Sequence, residues 1–291
     1  MKTIHIVFNE QVPQAAAASE RLQAWCRDHE VACCDGPPGF AAADLIVALG
    51  GDGTLLRAVH ATHQLTAPFL SIKFGRLGFL SGAPADQLIE AVSTALFGDA
   101  PLELHTMIEA RLFSGDQETT ERRVLNELVL HTLPGRMLTT TLIINGHTFS
   151  EFSGDGLIIA TATGSTAYAL SAGGPVLTPS FEGMEVVPLA PHSLINRAVV
   201  TAPGDLLRIE LSDPRRADAL PLLDGETLRL ERPVTAVELS VAPEKLRLVK
   251  FGAHNSYEVV AQQFFGLPSR ETEHATAVPT PCRIPGERND A

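Results

Sequence analysis

The sequence predicts an α/β N-terminal domain, with a parallel sheet and flanking helices, followed by a β-rich C-terminal domain. Strand-like and helix-like segments alternate over the first hundred residues, short β-rich runs replace them after about Leu102, and a helix-like segment returns near residue 256. We therefore expect an α/β domain over 1–101, a β-rich domain over 102–253, a helix over 254–266 that packs back on the first domain, and a disordered tail over 267–291.

In the first domain, strands and helices are predicted from hydrophobic periodicity. They follow one another over residues 3–8, 12–29, 44–49, 54–63 and 68–73, as strand, helix, strand, helix and strand. A last helix is indicated after Pro84, because Leu88, Val92 and Leu96 recur at helical spacing ahead of Gly98. Strands that alternate with helices in this way are typical of parallel α/β architecture.

After residue 102 the pattern changes to short runs that indicate antiparallel pairing. These runs are MIEARLFS, RRVLNELVLHT, LTTTLIINGHTFSEF, LLRIELS, ETLRLE, TAVELSV and LRLVKF. Asn145-Gly146, between two β-rich stretches, is a strong hairpin signal, because both residues tolerate positive φ. The second half is therefore predicted to be an antiparallel β domain.

The composition favours a folded protein of the cytoplasm. At 291 residues and 45% hydrophobic content, the chain can bury a sizeable core. Its 22 Lys and Arg against 34 Asp and Glu give a net charge of −12, which disfavours nucleic acid and anionic membranes as partners. The four cysteines lack the paired spacing of a zinc site, no apolar run reaches the roughly 18 residues of a membrane span, and no signal-peptide pattern is present.

The stretch LIVALGGDGTLLRAV, residues 45–59, runs from an apolar strand through a glycine turn into a helix. In parallel α/β folds, ligands bind beyond the carboxyl ends of the strands, where this turn would lie. Gly50, Gly51 and Gly53 leave backbone N–H groups open to a phosphate, and the helix that begins at Thr54 adds positive potential. The turn is a candidate phosphate site, although an ordinary strand-to-helix turn can have the same composition.

Asp52 distinguishes this turn from the common phosphate motifs. The segment has neither the Lys of a P-loop nor the three spaced glycines of the dinucleotide fingerprint. A carboxylate among amides can accept a proton from a hydroxyl while the amides hold the phosphate that the hydroxyl attacks. We expect Asp52 to be that proton acceptor. Arg57, five residues later, could lean back towards a phosphate or remain a solvated helix charge.

Two later segments carry polar side chains suited to a nucleotide. In LNELVLH, Asn126 and Glu127 could meet a nucleoside edge or ribose hydroxyls, or could form a solvent-facing strand end. The segment GDGLIIATATGSTAYALSAGGP, residues 154–175, places Asp155 between glycines and is dense in small hydroxyl residues over 161–166. It lacks a Gly-x-Ser-x-Gly elbow, which disfavours serine hydrolysis.

Three further features are weaker. LAPHSLINRAVV is turn-rich and includes Ala190, and LLDGE, residues 222–226, presents another acidic turn. His60 and His63 lie three residues apart on a predicted helix, but without a nearby third ligand they are interpreted as surface residues. No metal site built from protein side chains is predicted.

In this order, GGDGT, NE, GDG…TGSTAY…SAGGP, PHSL.NR and DG resemble the bacterial NAD kinases, over roughly residues 45–225. GGDGT alone is shared by a superfamily that also includes 6-phosphofructokinases and diacylglycerol or sphingosine kinases, in which the middle block is not expected. The resemblance implies transfer of the γ-phosphoryl group of ATP, or of polyphosphate, to the 2′-hydroxyl of the adenosine ribose of NAD, giving NADP.

The resemblance also implies a nucleotide-binding first domain, an NAD-binding β-rich domain and a divalent cation, Mg²⁺ or another, bound mainly through ATP. It implies a homodimer or homotetramer in which the β domain contributes to a neighbour's site. Asp52 matches the catalytic residue, and phosphates are expected at Gly50, Gly51, Gly53 and Thr54. The expected NAD-binding residues are Asp52, Gly53, Arg57, Asn126, Glu127, Asp155, Thr163, Thr166, Ala167, Tyr168, Ala169, Leu170, Ser171 and Ala190.

Three positions depart from the family pattern. Ser153 stands where a basic residue is common, Ala162 where Pro is frequent, and Glu226 where Gln commonly follows the late Asp-Gly. None of these departures removes the expected proton acceptor, but they put the fine specificity of the pocket in question. Two alternative functions stay open on sequence alone: a lipid or sugar kinase with the same glycine motif, and a nucleotide-binding sensor without turnover.

Overall fold

The computed structural model describes residues 1–35, 43–62, 65–75, 78–133, 135–192, 197–212, 219–251, 259, 260 and 264. In the first part of the chain the elements are β1 Thr3–Phe8, α1 Pro13–Asp28, β2 Ala32–Asp35, β3 Leu45–Leu49, α2 Asp52–His60, β4 Phe69–Lys73, β5 Ala83–Pro84, α3 Leu88–Phe97 and β6 Leu102–His105. The middle part contains β7 Ile108–Ser114, β8 Gln117–Val124, β9 Glu127–His131, β10 Leu138–Ile144, β11 His147–Gly154, β12 Gly156–Ala160 and α4 Tyr168–Ser171. The remaining strands are β13 Glu185–Leu189, β14 Val199–Val200, β15 Leu207–Leu211, β16 Leu220–Leu223, β17 Glu226–Thr227, β18 Ala236–Val241 and β19 Leu246–Val249.

The first sheet is the centre of a three-layer α/β unit. Over the described residues its strand order is β2-β1-β3-β4-β19-β6, with β5 paired to β4. Strands β1 to β4 run parallel, as the alternation of strands and helices predicts. Helices α1 and α3 pack on one face, through residues such as Leu22 and Val92, and α2 packs on the other through Leu55 and Val59. The apolar stripe of each helix is thus buried against a strand face.

Strands β3 and β4 bring two loop segments together at one edge of this sheet. They pair in parallel, with Leu49 opposite Ile72, and the amide of Gly50 donates a hydrogen bond of 2.9 Å to the carbonyl of Ile72. The glycine turn after β3 therefore begins beside Lys73, the last residue of β4. This is the edge at which α/β folds bind ligands.

Two antiparallel sheets form the rest of the structure. One has the order β11-β10-β15-β18-β7-β8, and the other has β14-β13-β12-β9-β16-β17. Their inner faces share one apolar core, which includes Leu112, Leu142, Ile159, Val186 and Leu239. The opposite face of the second sheet is covered in part by α4, through Ala169. The prediction of a β-rich second half is confirmed.

Most predicted strands and helices are confirmed, with small shifts at their ends. Helix α2 begins at Asp52 rather than Thr54, because Gly51 has the extended backbone of an N-cap and Asp52 brings a carboxylate to the helix N-terminus. The hairpin at Asn145-Gly146 has φ values of 50° and 80°, the signs a type I′ turn requires. Of the run ETLRLE, only Glu226–Thr227 pairs as a strand. Within the described residues, no helix is both long and apolar enough to cross a bilayer.

The run LRLVKF was expected in the β-rich domain but lies in the first sheet. It contributes β19, which pairs in parallel with β4 and antiparallel with β6, so that both β6 and β19 complete the first sheet. The domain boundaries at residues 101 and 253 remain predictions. Most of the predicted helix over 254–266 and all of the tail over 267–291 lie outside the described residues, but Phe264 stacks on Phe79 with ring centroids 5.6 Å apart.

The second antiparallel sheet buries two carboxyl groups on one of its faces, on the two strands that flank β12. Ala160 of β12 pairs with Glu127 of β9 and with Glu185 of β13, so both glutamates lie on one face of the sheet. Glu185 is fully buried, and among the described residues neither of its oxygens has a hydrogen-bond partner. Burial raises the pKa of Glu185 to about 7, so this carboxyl group is largely neutral in weakly acidic solution.

Glu185 should make stability fall as the pH rises. The carboxyl group ionises near its ordinary pKa of 4.5 when unfolded, and only near 7 when folded. Its stabilising contribution is therefore complete below pH 4.5 and is lost as the pH rises through 7, by about 3 kcal/mol in total. We expect Glu185→Gln to match the wild type in urea unfolding at pH 5 and to exceed it by about 2–3 kcal/mol at pH 8.

Glu118, which is exposed on β8, provides the control. Glu118→Gln should change the free energy of unfolding by less than about 0.5 kcal/mol at either pH. Equal stabilities of wild type and Glu185→Gln at pH 8 would contradict the buried, neutral carboxyl group.

Candidate active site

The glycine turn presents Asp52 at the first position of α2. Gly51 precedes it as the N-cap, and Asp52 is the acidic residue of the first helical turn. Its side chain is 34% exposed. Oδ1 is buried and receives no hydrogen bond from the described residues. The carboxylate therefore keeps an acceptor oxygen unused within a half-open setting.

Lys73 lies beside this carboxylate. Its Nζ is 3.6 Å from Asp52 Oδ1, and the lysine side chain is 22% exposed. The pairing follows from the register of β3 and β4, since Lys73 ends the strand next to the one that leads into the turn. An ammonium group thus stands at the turn, although the turn itself carries no lysine.

Gly78 closes over the Asp52–Lys73 pair. A Cβ at this position would overlap Lys73 Nζ and would lie 2.7 and 2.9 Å from the two Asp52 oxygens, which is closer than real Cβ contacts. A side chain at this position would therefore displace the ends of the Lys73 and Asp52 side chains from their present places. In contrast, a Cβ at Gly53 would meet nothing within 4 Å, so the backbone of Gly53 is open to an approaching ligand.

A cleft begins at Gly78. One wall is formed by Gly78, Phe79 and Ser81, and the opposite wall by Thr163 and Thr166. The remaining lining residues are Leu80, Glu103, His105, Ala162, Val176, Leu177, Pro179, Lys250, Val259 and Val260. Its lining is mostly apolar with a few polar groups, which is the composition typical of ligand clefts.

A chain of polar contacts connects residues that line the cleft. Thr163 Oγ1 is 3.0 Å from His105 Nδ1, and His105 Nε2 is 3.2 Å from Glu103 Oε1. Lys250 Nζ is 3.6 Å from Glu103 Oε2 and donates hydrogen bonds of 3.2 and 3.3 Å to the carbonyls of Phe79 and Ser81. Both walls of the cleft are therefore tied to one buried network.

Opposing effects act on the ionisable groups of this network. Burial disfavours ionisation of Glu103, but the hydrogen bond from His105 and the charge of Lys250 outweigh it and lower the pKa of Glu103. Burial lowers the pKa of Lys250, while the negative charges of Glu103 and Asp52 partly offset that effect. Glu103 therefore stays ionised and holds the ammonium group between the two walls.

The TGST segment folds tightly against the Asn126 backbone. Thr161 Oγ1 donates to the carbonyl of Leu125 at 2.6 Å, and the amide of Thr161 donates to the carbonyl of Asn126 at 2.9 Å. Ser165 Oγ donates to the carbonyl of Ala162 at 2.6 Å. A Cβ at Gly164 would overlap the carbonyl group of Asn126, so glycine is required for this packing. The two segments form one rigid surface.

The acidic turn at residues 222–226 joins this surface from another side. Asp224 Oδ1 accepts hydrogen bonds from the amides of Asn126, at 2.6 Å, and Glu127, at 3.1 Å, while Oδ2 accepts one from Leu125 at 2.9 Å. Burial, together with the negative charge of Asp224, raises the pKa of Glu127 to about 8. The Glu127 carboxyl group is therefore mostly neutral at pH 7.

Comparison with known proteins places this arrangement in a family. Residues 39–100 match the model of the ATP-NAD kinase N-terminal domain, and residues 125–251 match that of the ATP-NAD kinase C-terminal domain. An NAD kinase of Pseudomonas putida (strain W619) is 37% identical over 219 residues, which is 74% of this chain and 73% of that protein. The chain belongs to the NAD kinase family. An NAD kinase of Chromohalobacter salexigens is 35% identical over 74% of each chain.

Solved structures of NAD kinases share the fold. The crystal structure of yeast NADH kinase complexed with NADH has a TM-score of 0.82 and 21% identity, and covers 93% of this chain and 89% of that one. The structure of an NAD kinase from Archaeoglobus fulgidus in complex with ATP has a TM-score of 0.68 and 24% identity, and covers 85% of this chain and 93% of that one. The predicted resemblance to NAD kinases is confirmed.

The residues predicted for the NAD kinase site fall into two groups. Asp52, Gly53, Asn126, Glu127, Thr163 and Thr166 lie around the turn and the cleft or on the surface that borders them. Ala167 to Ser171 continue from the TGST segment, with Ala169 buried and Tyr168 41% exposed. Gly50 and Thr54 lie together in the turn; Thr54 is buried beneath Gly50, whereas Gly51 is open.

Asp155 and Ala190 are not brought to this surface. They adjoin the Gly156–Leu189 pair, at the opposite end of β12 from the Ala160–Glu127 pair. Four residue steps along β12 separate these ends by about 13 Å. Arg57 is exposed on α2 and forms no ion pair with Asp52 in the part of the chain that the structure describes.

The sequence interpretation missed several residues at the site. Lys73, Gly78, Glu103, His105 and Lys250 were not expected there. The signal for Lys73 was its position at the end of the next parallel strand, because adjacent carboxyl ends share an edge. His60, interpreted as a surface residue, instead contacts Asp224 at 2.8 Å, and His63 lies outside the described residues.

Gly164 gives a direct test of the packing between the TGST segment and Asn126. We expect Gly164→Ala to lower the free energy of unfolding by about 1–3 kcal/mol, because the new methyl group must displace backbone rather than a flexible side chain. Urea unfolding measures the change. Gly53→Ala is the control and should change the free energy of unfolding by less than about 1 kcal/mol, since its Cβ meets open space. Equal effects of the two substitutions would contradict the packing described.

Proposed function

We propose that this member of the NAD kinase family transfers the γ-phosphoryl group of ATP to the 2′-hydroxyl of the adenosine ribose of NAD, giving NADP and ADP. One observation carries the chemical part of the proposal. Asp52 holds an unused carboxylate oxygen at an open glycine turn, next to the cleft that begins at Gly78. The relatives named above, and the structures solved with NADH and with ATP, support the choice of substrates.

Asp52 is proposed as the proton acceptor. Phosphoryl transfer to a sugar requires that the hydroxyl proton leaves as the new oxygen–phosphorus bond forms. Oδ1 of Asp52 receives no hydrogen bond from the described residues, although the Lys73 ammonium lies 3.6 Å away, so this oxygen can still accept that proton. A positioned base of this kind typically contributes about 10²–10⁴-fold in rate.

The charge of the transferred phosphoryl group is proposed to be met by backbone and by Lys73. The N-terminus of α2 and the bare backbone of Gly53 offer amide dipoles. In P-loop proteins, a lysine of the loop reaches the terminal phosphates. Here the ammonium of Lys73, 3.6 Å from Asp52 Oδ1, can perform that task from the neighbouring strand. The Lys73 ammonium and the Asp52 carboxylate would then both lie beside the phosphoryl group that is transferred.

A divalent cation, Mg²⁺ or another, fits this site when it is carried by the nucleotide. Among the described residues, no group of three or more His, Cys, Asp or Glu side chains is placed to hold a metal. The ligands of the cation would be mainly phosphate oxygens of the nucleotide and water, which leaves Oδ1 of Asp52 for the hydroxyl proton. When bound, the cation would supply further neutralisation of phosphate charge.

The dinucleotide is proposed to lie against the cleft and the Asn126–TGST surface. Thr163 and Thr166 line the cleft, and Tyr168 and Ser171 are exposed further along the same segment. These short hydroxyl and amide groups can bind ribose and pyrophosphate close to the backbone. The fixed position of Thr163 Oγ1 on His105 would orient one such contact.

Asp155 and Ala190 are proposed to serve the site of a neighbouring subunit. Their distance from the Asn126 surface leaves them outside the site of their own chain, whereas the family resemblance assigns them to NAD binding. Both residues are exposed at one end of the second antiparallel sheet. A homodimer or homotetramer would reconcile the position of these residues with that expected role. We also propose a cytoplasmic location, which suits the reduced thiols of Cys26, Cys33 and Cys34.

A change of one atom at Asp52 tests the base. We expect Asp52→Asn to remain folded and to bind NAD, but to lose about 10²–10⁴-fold in kcat, because an amide cannot accept the proton. NADP formation from ATP, Mg²⁺ and NAD gives the rate. Asp86→Asn, which changes another acidic residue just ahead of a helix but exposed and away from the cleft, should retain normal turnover. Near-normal turnover of Asp52→Asn would remove the proposed role.

Lys73 is tested by neutralising its charge. We expect Lys73→Gln to lower kcat by about 10–100-fold while the KM for NAD changes little, because the lysine acts on the phosphoryl group rather than on the dinucleotide. Lys73→Arg should recover part of the loss. Lys245→Gln is the control, since Lys245 pairs with Glu182 outside the cleft. Unchanged kcat in Lys73→Gln would show that the ammonium group has no part in the transfer.

A further inference from the structure

The carboxylate of Asp224 is a buried connection between three parts of the chain. Its side chain is fully buried, yet its oxygens accept hydrogen bonds from the amides of Leu125, Asn126 and Glu127. Nε2 of His60 lies 2.8 Å from Oδ2. A buried charge is stable only when it is paired and hydrogen-bonded, and here three amides and one imidazole supply those contacts.

The backbone geometry of the turn that carries Asp224 directs its carboxylate towards the amides of residues 125–127. Asp224 and Gly225 have φ values of 48° and 83°, so the turn between β16 and β17 presents the carboxylate back towards β9. The amide of Asp224 also donates to the carbonyl of Glu127 at 3.0 Å. Asp224 thus accepts hydrogen bonds from the amides of the segment 125–127 through its side chain and donates one to the carbonyl of Glu127 through its backbone.

His60 extends this connection to the catalytic helix. It is the last residue of α2, whose first residue is Asp52. The His60–Asp224 contact therefore joins the helix that carries the proposed base to the segment that carries Asn126. An α-helix of nine residues is a stiff spacer, so a constraint at its end also limits movement at its beginning.

We propose that His60 and Asp224 are positioning residues for the dinucleotide, and that they hold the Asn126–Glu127 backbone in register with helix α2. This inference rests on the proposed function, because it assigns NAD to the surface that the pair supports. Neither residue needs to touch a ligand. Loss of the pair should weaken the binding of NAD more than the binding of ATP.

The charges around the pair make its strength depend on pH. The hydrogen bond to Asp224 raises the pKa of His60; burial acts against this, Glu226 adds to it, and Arg122 opposes it. Glu121, Arg122 and Arg123 line the cavity beside His60, and Arg57 lies on the same helix. Glu127, with a pKa of about 8, is the other acid next to Asp224. The raised pKa of His60 favours its cationic form in weakly acidic solution, where Glu127 is neutral; both conditions are lost as the pH rises.

A variant with a permanent positive charge at position 60 separates the titration of His60 from that of Glu127. His60→Arg stays charged across the range, and the adjacent cavity, lined by Val59, Thr62, Leu65 and Met107, has space for a longer side chain. His60→Gln removes the charge at every pH. His147→Gln, which changes an exposed histidine at the start of β11, is the matched control.

The experiment measures KM for NAD, KM for ATP and kcat of these four proteins between pH 6.5 and 9. We expect His60→Gln to raise the KM for NAD about tenfold at pH 6.5, which is the order expected for one lost charge-assisted contact, with KM for ATP within about twofold. The ratio of the wild-type KM for NAD to that of His60→Arg should increase with pH, because only the wild type loses its cation. Glu127 titrates in both proteins and does not create that trend.

Two outcomes would overturn the inference: a wild-type KM for NAD in His60→Gln at pH 6.5, or a KM ratio between wild type and His60→Arg that stays constant to pH 9. A purely structural role would lower stability without this pH trend. Failure of the proposed function is distinguishable, since the wild type itself would then make no NADP from NAD.

Backbone hydrogen exchange tests the positioning without catalysis. The amides of Leu125, Asn126 and Glu127 should exchange at least about tenfold faster in His60→Gln than in wild type at the same pH, while the amides of β1 should be unchanged. Asp224→Asn should have the larger effect; if it does not fold, His60→Gln carries the test alone. Unchanged exchange at residues 125–127 in His60→Gln would contradict the proposal.

Discussion

The parallel pairing of β3 with β4 is the constraint on which the candidate site depends. It places the glycine turn and the last residue of β4 at one edge, so that Asp52 and Lys73 lie side by side. Gly78 then packs over both side chains and is also part of the lining of the cleft. A shift of one residue between these strands would send the Lys73 side chain to the other face of the sheet and would separate the pair. The chemistry at the turn is thus a consequence of strand register, and not of the turn sequence alone.

Three buried acidic residues support the Asn126–TGST surface. Asp224 is charged and surrounded by donors, whereas Glu127, close to it, is held neutral by burial and by the charge of Asp224. Glu185 lies on the same face as Glu127, with Ala160 between them and Gly174 against its carboxyl group. Burial alone raises the pKa of Glu185 to about 7, so this second buried glutamate is also largely neutral in weakly acidic solution. The Asn126–TGST surface therefore depends on protonation as well as on packing.

Much of the fold followed from local pattern, and much of the site did not. The alternation of strands and helices, the Asn145-Gly146 hairpin and the GGDGT turn each carry their own signal within a few residues. Strand β13 carried a weaker signal, since Glu185 and Pro188 interrupt an apolar run that the structure buries completely. The partners of Asp52 and Asp224 were hidden for another reason: Lys73 and His60 become meaningful only when strand order and tertiary contacts are known. The separation of Asp155 from Asn126 likewise depends on which ends of β12 face which neighbours.

The completion of the first sheet by β19 and β6 has a consequence for the order of synthesis. While the ribosome is still making the second half, one edge of β4 has no β19 to pair with, because that strand ends at Val249. Strand β5 covers the end of this edge, and at about 5–20 residues per second the rest stays open for roughly ten to thirty seconds. An unpaired strand edge is a template for association with other nascent chains. The nascent N-terminal unit must therefore be shielded, by chaperones or by its own incomplete folding, until the last strand arrives.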